Sequence, residues 1–278
     1  MAFATYAELP RGSPDDHPAV AELLALGIAA VPAAWDDPAV DWSRFEAVVV
    51  RSTWGYDRRA PEFLGWVDRV ARVSHLWNPP RMIRWNAHKG YLLDLARSGA
   101  RIVPTELVAQ GSDRSLGSIL LERGWSEVVV KPAVGANAAL LRVVREGEGE
   151  AGEAHLRSVL AAGDALVQPW LRRVETAGEC SLVFFDGAFS HAAAYPHVLA
   201  GGSREGEPIR IDDATREAAE RIVAQLPVRP LYARADFLPS DPDGWCLSEL
   251  ELIEPYLFLR TDPDAPHRFA RAIRAWLG

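Results

Sequence analysis

The chain has 278 residues, 49% of them hydrophobic and 24% charged, with 21 Gly and 20 Pro; this is globular composition and excludes disordered, collagen-like and mucin-like chains. A formal net charge of −8 supplies no basic surface for a phosphate backbone, so nucleic acid is excluded as a partner. Cys180 and Cys246 make no CxxC knuckle and no disulfide framework, and the longest apolar run, Leu23 to Trp35, is broken by Gly27 and Pro32 and too short to span a bilayer.

An apolar strand, Ala2 to Tyr6, opens the chain, followed by a Pro/Asp-rich turn and a helix from Pro18 to Leu26 that ends at Gly27. Ile28 to Val31 and Ala47 to Val50 read as short strands. Pro61 to Val73 carries helical periodicity through Phe63, Leu64, Trp66, Val67 and Val70. Such alternation predicts a parallel sheet. The segment Leu76-Trp77-Asn78-Pro79-Pro80 is expected to be an extended linker, because consecutive prolines disfavour helix. Beyond it the pattern predicts a helix from Ala87 to Ser98 closed by Gly99, a strand around Ile102-Val103, and a helix from Asp113 to Arg123. Val128 to Lys131 and Ala139 to Val144 read as a hairpin-like pair, and the acidic, Gly-rich stretch Glu146 to Glu153 as a solvated turn. Strands from Leu166, a helix from Asp212 to Leu226, a hairpin between Leu231 and Leu252 and a terminal helix from His267 to Leu277 complete the chain. No basic start precedes an apolar core, so no targeting signal and a cytoplasmic location are expected, with no membrane partner.

The basic residues are unevenly chosen. Of 30 Lys+Arg side chains, only Lys89 and Lys131 are lysine. Either two lysines survive by chance, or these are positions where a planar guanidinium cannot replace a compact ammonium. Lys131 ends the β-branched run Val128-Val129-Val130 and precedes the low-bulk segment Ala133 to Ala138, whose backbone N–H groups could approach an anion closely. No P-loop and no GxGxxG motif is present, and a plain strand-end lysine before a flexible turn is the alternative.

An acidic constellation lies further on. Arg234 and Asp236 share one strand face, Asp241-Pro242-Asp243-Gly244 signals a turn, and Glu249 and Glu251 share a face of the following strand. In a hairpin about that turn Asp236 falls opposite Leu247 and diagonal to Glu249, at about 7–8 Å. Magnesium with oxygen ligands at about 2.1 Å could bridge that gap, and otherwise the carboxylates form a solvated acidic face. Between the two sites, Val167-Gln168-Pro169-Trp170-Leu171 ends a strand whose edge could meet a planar purine, with Glu175 placed for a ribose diol; an ordinary linker is the alternative.

Taken in order, these blocks resemble the ATP-grasp superfamily, in particular its small glutathione-synthetase-like subgroup that includes a cycloserine-forming O-ureido-serine cyclo-ligase. The resemblance is carried by AWDDPAVDW (34–42), RSTWGYD (51–57), LWNPP (76–80), WNAHKGYLLDL (85–95), VVVKP (128–132), VQPWL (167–171), GECSL (178–182), LYARAD (231–236) and ELELIEP (249–255). It implies an α/β fold of α+β lobes: an N-terminal parallel α/β domain over 1–80, a central lid domain over 81–166 and a metal-binding domain over 167–278, the last two clamping the nucleotide between sheets. It implies that Lys89 and Lys131 contact the phosphates of ATP, that Gln168, the Pro169 carbonyl and the Leu171 N–H hold adenine, and that Glu175 holds the ribose. Asp236, Glu249 and Glu251 would hold two Mg²⁺ ions, although the family often has Asn where this chain has Glu251. Arg234 would neutralise the phosphoryl in flight, with Lys89 and Lys131 completing the catalytic set. Both lysines thus fall on the family's phosphate-contacting positions.

The expected activity is a carboxylate–amine ligase or an intramolecular cyclo-ligase. It would act through an acyl-phosphate on an amino-acid-like small molecule, releasing ADP and phosphate. A small-molecule kinase and a non-catalytic nucleotide-binding protein are the alternatives. In the N-terminal unit, Arg51 and Tyr56 follow the strand Ala47 to Val50 and are expected to face the acceptor, since ligands of open α/β sheets bind at strand carboxyl ends. Relatives carry a longer basic loop between His191 and Pro208; here only His197 and Arg204 remain as possible cations toward substrate. An oligomer is compatible with the sequence and not specified by it.

Overall fold

A computed structural model of the chain describes residues 1–136, 139–196, 206–240 and 244–278. Three sheets organise it. The first is parallel, in the order β2-β1-β3-β4, from β1 (Ala2–Thr5), β2 (Val31–Ala34), β3 (Ala47–Val50) and β4 (His75–Trp77). β1 and β3 are buried along their whole length, so both read as apolar runs without alternation. α1 (His17–Ala25) covers one face through Ala19 and Leu23, and α2 (Ala60–Val70) the other through Phe63, Trp66 and Val67. β2 begins at Val31 and not at Ile28, because the Gly27 and Ile28 N–H groups close α1 by donating to the Leu24 and Leu23 carbonyls at 2.9 Å.

The prolines expected to form a linker do something else. Pro80 is the first residue of α3 (Pro80–Asn86), where a missing N–H costs nothing. The single helix expected over 87–98 starts only at Tyr91, as α4 (Tyr91–Arg97). In the break before it, the Lys89 N–H donates to the Ala133 carbonyl at 2.7 Å.

The second sheet is antiparallel, in the order β5-β8-β6-β7, from β5 (Glu106–Val108), β6 (Val128–Pro132), β7 (Arg142–Val144) and β8 (Ala165–Pro169). α5 (Leu116–Arg123) and α6 (Gly149–Ala162) cover it, with Ile119, Leu156 and Val159 in one core with Val128, Val130 and Val167. The stretch 146–153 is a solvated turn only at Glu146-Gly147: α6 starts at Gly149, because Leu156, Val159 and Leu160 recur at helical spacing. Gly152 is where α6 closes on the sheet; a Cβ there would lie 2.6 Å from Val144 and 2.7 Å from Leu116. Ile102 and Val103 form no strand of their own: Ile102 bridges in parallel to Leu247, and Val103 donates to the Leu247 carbonyl. β8 runs across the boundary drawn between 166 and 167 because its ladder to β6 extends to Pro169.

The third sheet is antiparallel, in the order β11-β10-β9-β12-β13, from β9 (Glu179–Phe185), β10 (Ala188–Tyr195), β11 (Glu207–Pro208), β12 (Tyr232–Pro239) and β13 (Trp245–Glu251). The short α7 (Val174–Ala177) precedes it, and α8 (Asp213–Ala224) and α9 (Ala265–Leu277) flank it. One face packs on α3, α4 and α8 through Met82, Leu92, Leu95 and Ile222. On the other, Phe269 and Ile273 of α9 share a core with Phe3, Val49, Val183 and Tyr232, sealing the third sheet to the first. Among the described residues no helix is long and apolar enough to cross a membrane.

Candidate active site

A cavity of about 690 Å³ opens between the second and third sheets. Its upper wall carries Lys131 at the end of β6 and Gln168, Pro169 and Leu171 at the end of β8; its lower wall carries Arg234, Asp236, Glu249 and Glu251. Lys89 enters from the α3–α4 break, and Tyr56 from the N-terminal unit.

At Asp236 the register of the acidic hairpin is two residues off the expected one, which set Asp236 opposite Leu247. Asp236 pairs directly with Glu249 and Arg234 with Glu251, whereas Phe237 pairs with Leu247. Ser248 is the extra residue of a β-bulge, its hydroxyl donating to the Asp236 carbonyl at 3.1 Å. The bulge brings one oxygen from each of Asp236, Glu249 and Glu251 within 4.8 Å of one another. Two buried asparagines hold the hairpin in place. Asn86 donates to the Leu250 carbonyl and accepts from the Leu252 N–H, and Asn78 joins the Tyr232 and Leu252 carbonyls to the Leu231 N–H.

Three of the carboxylates inside the cavity, Asp236, Glu249 and Glu251, are paired with cations. Lys131 Nζ lies 3.0 Å and Lys89 Nζ 3.4 Å from the two oxygens of Glu249. Arg234 grips both Asp236 oxygens at 2.8 Å, reaches Glu251 at 2.6 Å and donates to the Tyr256 carbonyl. Burial alone would raise Glu249, but Lys89 and Lys131 outweigh it and hold the carboxyl near 2. Burial raises Glu251 to about 7; Arg234 opposes this, and Asp236 and Glu249 add to it. Burial works against the Lys89 ammonium, and Glu249 and Glu251 more than offset it, so its pKa rises. Three carboxylates this close, one of them (Glu249) held by two lysines that an anionic ligand would draw away, fit a hard divalent cation.

The remaining expected residues divide. Gln168 is buried, its amide donating to the Thr105 hydroxyl at 2.8 Å. Glu175 lies outside the cavity lining and pairs with Arg145 at 2.7 Å and the Trp170 indole at 3.2 Å, because α7 turns it toward the end of β7, the edge strand of the second sheet. Arg51 does not reach the cavity, contrary to expectation. It is 2% exposed, bonded to Asp16 at 2.9 Å and to the Pro255 carbonyl at 3.0 Å, with its guanidinium over the Tyr232 and Phe269 rings. Asp15 beside it accepts from the Leu257 and Leu259 N–H groups. These N-terminal residues thus fix the turn 254–258, which carries Glu254, Tyr256 and Phe258 into the cavity. Phe258 is held at φ 51°, stacked on Tyr195 and lying under Arg234. His197 and Arg204 lie outside the described residues.

Sequence reasoning missed Glu179, Tyr195, Glu254, Tyr256 and Phe258 in the lining. Strand alternation offered a signal for the first, since Glu179 shares a face with Ser181, which donates to Asp236 at 2.5 Å. Burial lifts Glu179 to about 7, with Asp236 and Glu249 adding to it; its carboxylate accepts from the Tyr195 hydroxyl at 3.3 Å.

Residues 1–78 match the family model described as the N-terminal domain of the D-cycloserine synthetase DcsG. Across 276 residues, 93% of this chain and 92% of the relative, the chain is 34% identical to the cycloserine biosynthesis protein DcsG of Streptomyces lavendulae. The crystal structure of D-cycloserine synthetase DcsG superposes with a TM-score of 0.92 at 32% identity, covering 100% of this chain and 99% of that one. The RimK domain ATP-grasp protein of Sphaerobacter thermophilus shares the fold, with a TM-score of 0.73 at 18% identity over 99% and 100% of the two chains. An almost full-length relative and a shared ATP-grasp architecture lead to one conclusion: the chain belongs to the DcsG family of the ATP-grasp ligases, ATP-dependent enzymes of small-molecule biosynthesis that form C–N bonds.

Proposed function

We propose that the chain is a Mg·ATP-dependent carboxylate–amine ligase that closes a ring on an amino-acid-like small molecule through an acyl-phosphate, releasing ADP and phosphate. One observation carries the reading: Glu249, beside Asp236 and Glu251, bridges the chain's only two lysines inside one cavity. A free carboxylate is a poor electrophile because an attacking amine would have to expel oxide. Transfer of the γ-phosphoryl to it creates phosphate as the leaving group, and catalysis is then mostly placement and charge neutralisation.

In this reading the triphosphate takes over Lys89 and Lys131 from Glu249, which is then free to join Asp236 and Glu251 in holding up to two magnesium ions. Those ions would screen the β- and γ-phosphates. Gln168, the Pro169 carbonyl and the Leu171 N–H take adenine, and Glu175 the ribose, exchanging its Arg145 partner for the diol. Arg234, anchored on Asp236 and Glu251, faces the phosphoryl and then the tetrahedral intermediate. The second sheet acts as the lid that keeps water from the acyl-phosphate. Its contiguous core runs from β5 to β8, so we assign the lid to residues 106–169, between an N-terminal α/β unit and a metal-binding unit. Similarity to a D-cycloserine synthetase favours ring closure over intermolecular ligation. Dependence on ATP supports a cytoplasmic location for the reaction.

The test is phosphate release with Mg·ATP and a library of D- and L-amino acids with their O-ureido and hydroxylamine derivatives, with product analysis. Phosphate release with a cyclised or amide product is expected. A stable phosphorylated substrate would assign a kinase instead, and tight ATP binding without turnover a nucleotide-binding protein.

A further inference from the structure

We propose that Glu254 anchors the ammonium group of the acceptor. The inference rests on the ligase reading above and assigns one residue to its acceptor end. Glu254 is 9% exposed and lines the cavity beside Tyr56 and Tyr256. Each other carboxylate there has a neighbour that satisfies it: Asp236 has Arg234 and Ser181, Glu249 the two lysines, Glu251 Arg234, and Glu179 Tyr195. Glu254 differs. Among the described residues no side chain of another residue donates a hydrogen bond to its carboxylate or forms an ion pair with it. The three nearby cations, Lys89, Lys131 and Arg234, are bonded elsewhere.

A buried carboxylate without a partner costs stability unless a cation completes it. Magnesium is not that cation, because Glu254 is absent from the group of carboxylates whose oxygens converge within 4.8 Å. The acceptor brings a suitable one. When the carboxylate of an α-amino acid is turned to the phosphates and Arg234, its ammonium lies two bonds away and needs an anion not claimed by metal. Glu254 stands on the turn that carries Tyr256, whose carbonyl binds Arg234, so both ends of such a substrate are gripped by one short segment. The tyrosines on either side exclude water and strengthen the pair. Burial, with Glu251 adding, pushes the Glu254 carboxyl up to about 8, and an adjacent ammonium is what returns it to the ionised form.

The experiment compares O-ureido-D-serine and O-ureido-L-serine with 3-(ureidooxy)propionate, which lacks the α-amino group. Calorimetric binding to the Mg·ADP complex and phosphate release are both measured on the wild type, Glu254→Gln and Glu254→Asp. The wild type should prefer the better serine enantiomer over the des-amino probe by about 10- to 100-fold. Glu254→Gln should lose that preference to within about threefold, chiefly through acceptor KM, with ATP KM unchanged, and Glu254→Asp should regain part of it. The substrate-side comparison on the wild type stands even if a variant fails to fold. Full preference retained by Glu254→Gln, or no preference for the amine in the wild type, overturns the proposal. Amine-dependent binding without phosphate release would leave the ammonium site standing and overturn the ligase reading alone.

Discussion

The two ends of the cavity are built by different means. The proposed nucleotide end is regular secondary structure: Lys131 lies at the end of β6, Gln168 and Pro169 close β8, and the carboxylates proposed to hold metal sit at set register positions of β12 and β13. The proposed acceptor end is a turn, with Phe258 at positive φ, held by a few hydrogen bonds to Asp15 and Arg51 in another unit. A strand cannot slip by one residue without turning its side chains to the wrong face, so the first construction resists change. A turn moves when an anchor is removed. Damage to the first end should therefore abolish chemistry, and damage to the second should cost stability and acceptor affinity while ATP binding persists.

The severest test of this contrast is Asp236→Asn or Glu249→Gln, each expected to lower phosphate release by at least about 10²–10³-fold, as the loss of a preorganised electrostatic group does. Activity above a tenth of wild type would remove the hairpin from the chemistry. Arg51→Met should come next, destabilising the fold by about 3–5 kcal/mol in urea denaturation because Asp16 is left buried without its cation. In the folded fraction acceptor KM should rise and ATP KM hold; an equal rise in both would show that the two ends are not separable. Lys131→Met should weaken ATP by about 1.5–3 kcal/mol, and a change of less than twofold would break the lid assignment. Gly152→Ala, in the lid but away from the site, should cost about 1–3 kcal/mol of stability by overpacking and leave ATP affinity alone.

The smallest effect is that of pH. Burial lifts Glu179 to about 7 and Glu254 to about 8, from 4.5. The folded chain therefore binds these protons more tightly than the unfolded one, a stabilisation present below pH 4.5 and lost as the pH rises toward 8. The thermal midpoint of the ligand-free protein should fall between pH 6 and 8.5, and less steeply with Mg·ADP, which binds best to ionised carboxylates. A midpoint that climbs across that window would contradict the buried carboxyls.

Much of this was legible in the sequence, residue by residue. The scarcity of lysine drew attention to Lys89 and Lys131, and they meet at one glutamate. The period-2 pattern put Arg234 with Asp236 and Glu249 with Glu251, as alternation requires. The first helix of the chain and the parallel sheet followed from cap residues and apolar runs. Other readings failed for identifiable reasons. Pro79-Pro80 was read as a break because proline disfavours helix interiors, but a helix start tolerates it. The 146–153 stretch is acidic and Gly-rich, and only the β-sheet beneath α6 makes it helical from Gly149.

What the sequence determined alone is what depends on neighbours a few residues apart: strand faces, caps, and which charged groups are chemically unusual. Tertiary structure decided what depends on contacts between distant segments. It inserted the bulge at Ser248 that sets Asp236 against Glu249, and it buried Arg51 under the 255–259 turn rather than in the cavity. Among the described residues it also left the Glu254 carboxylate without a side-chain donor. Side-chain chemistry and backbone periodicity are local properties, whereas register, burial and the meeting of charges more than a hundred residues apart arise only when the whole chain packs.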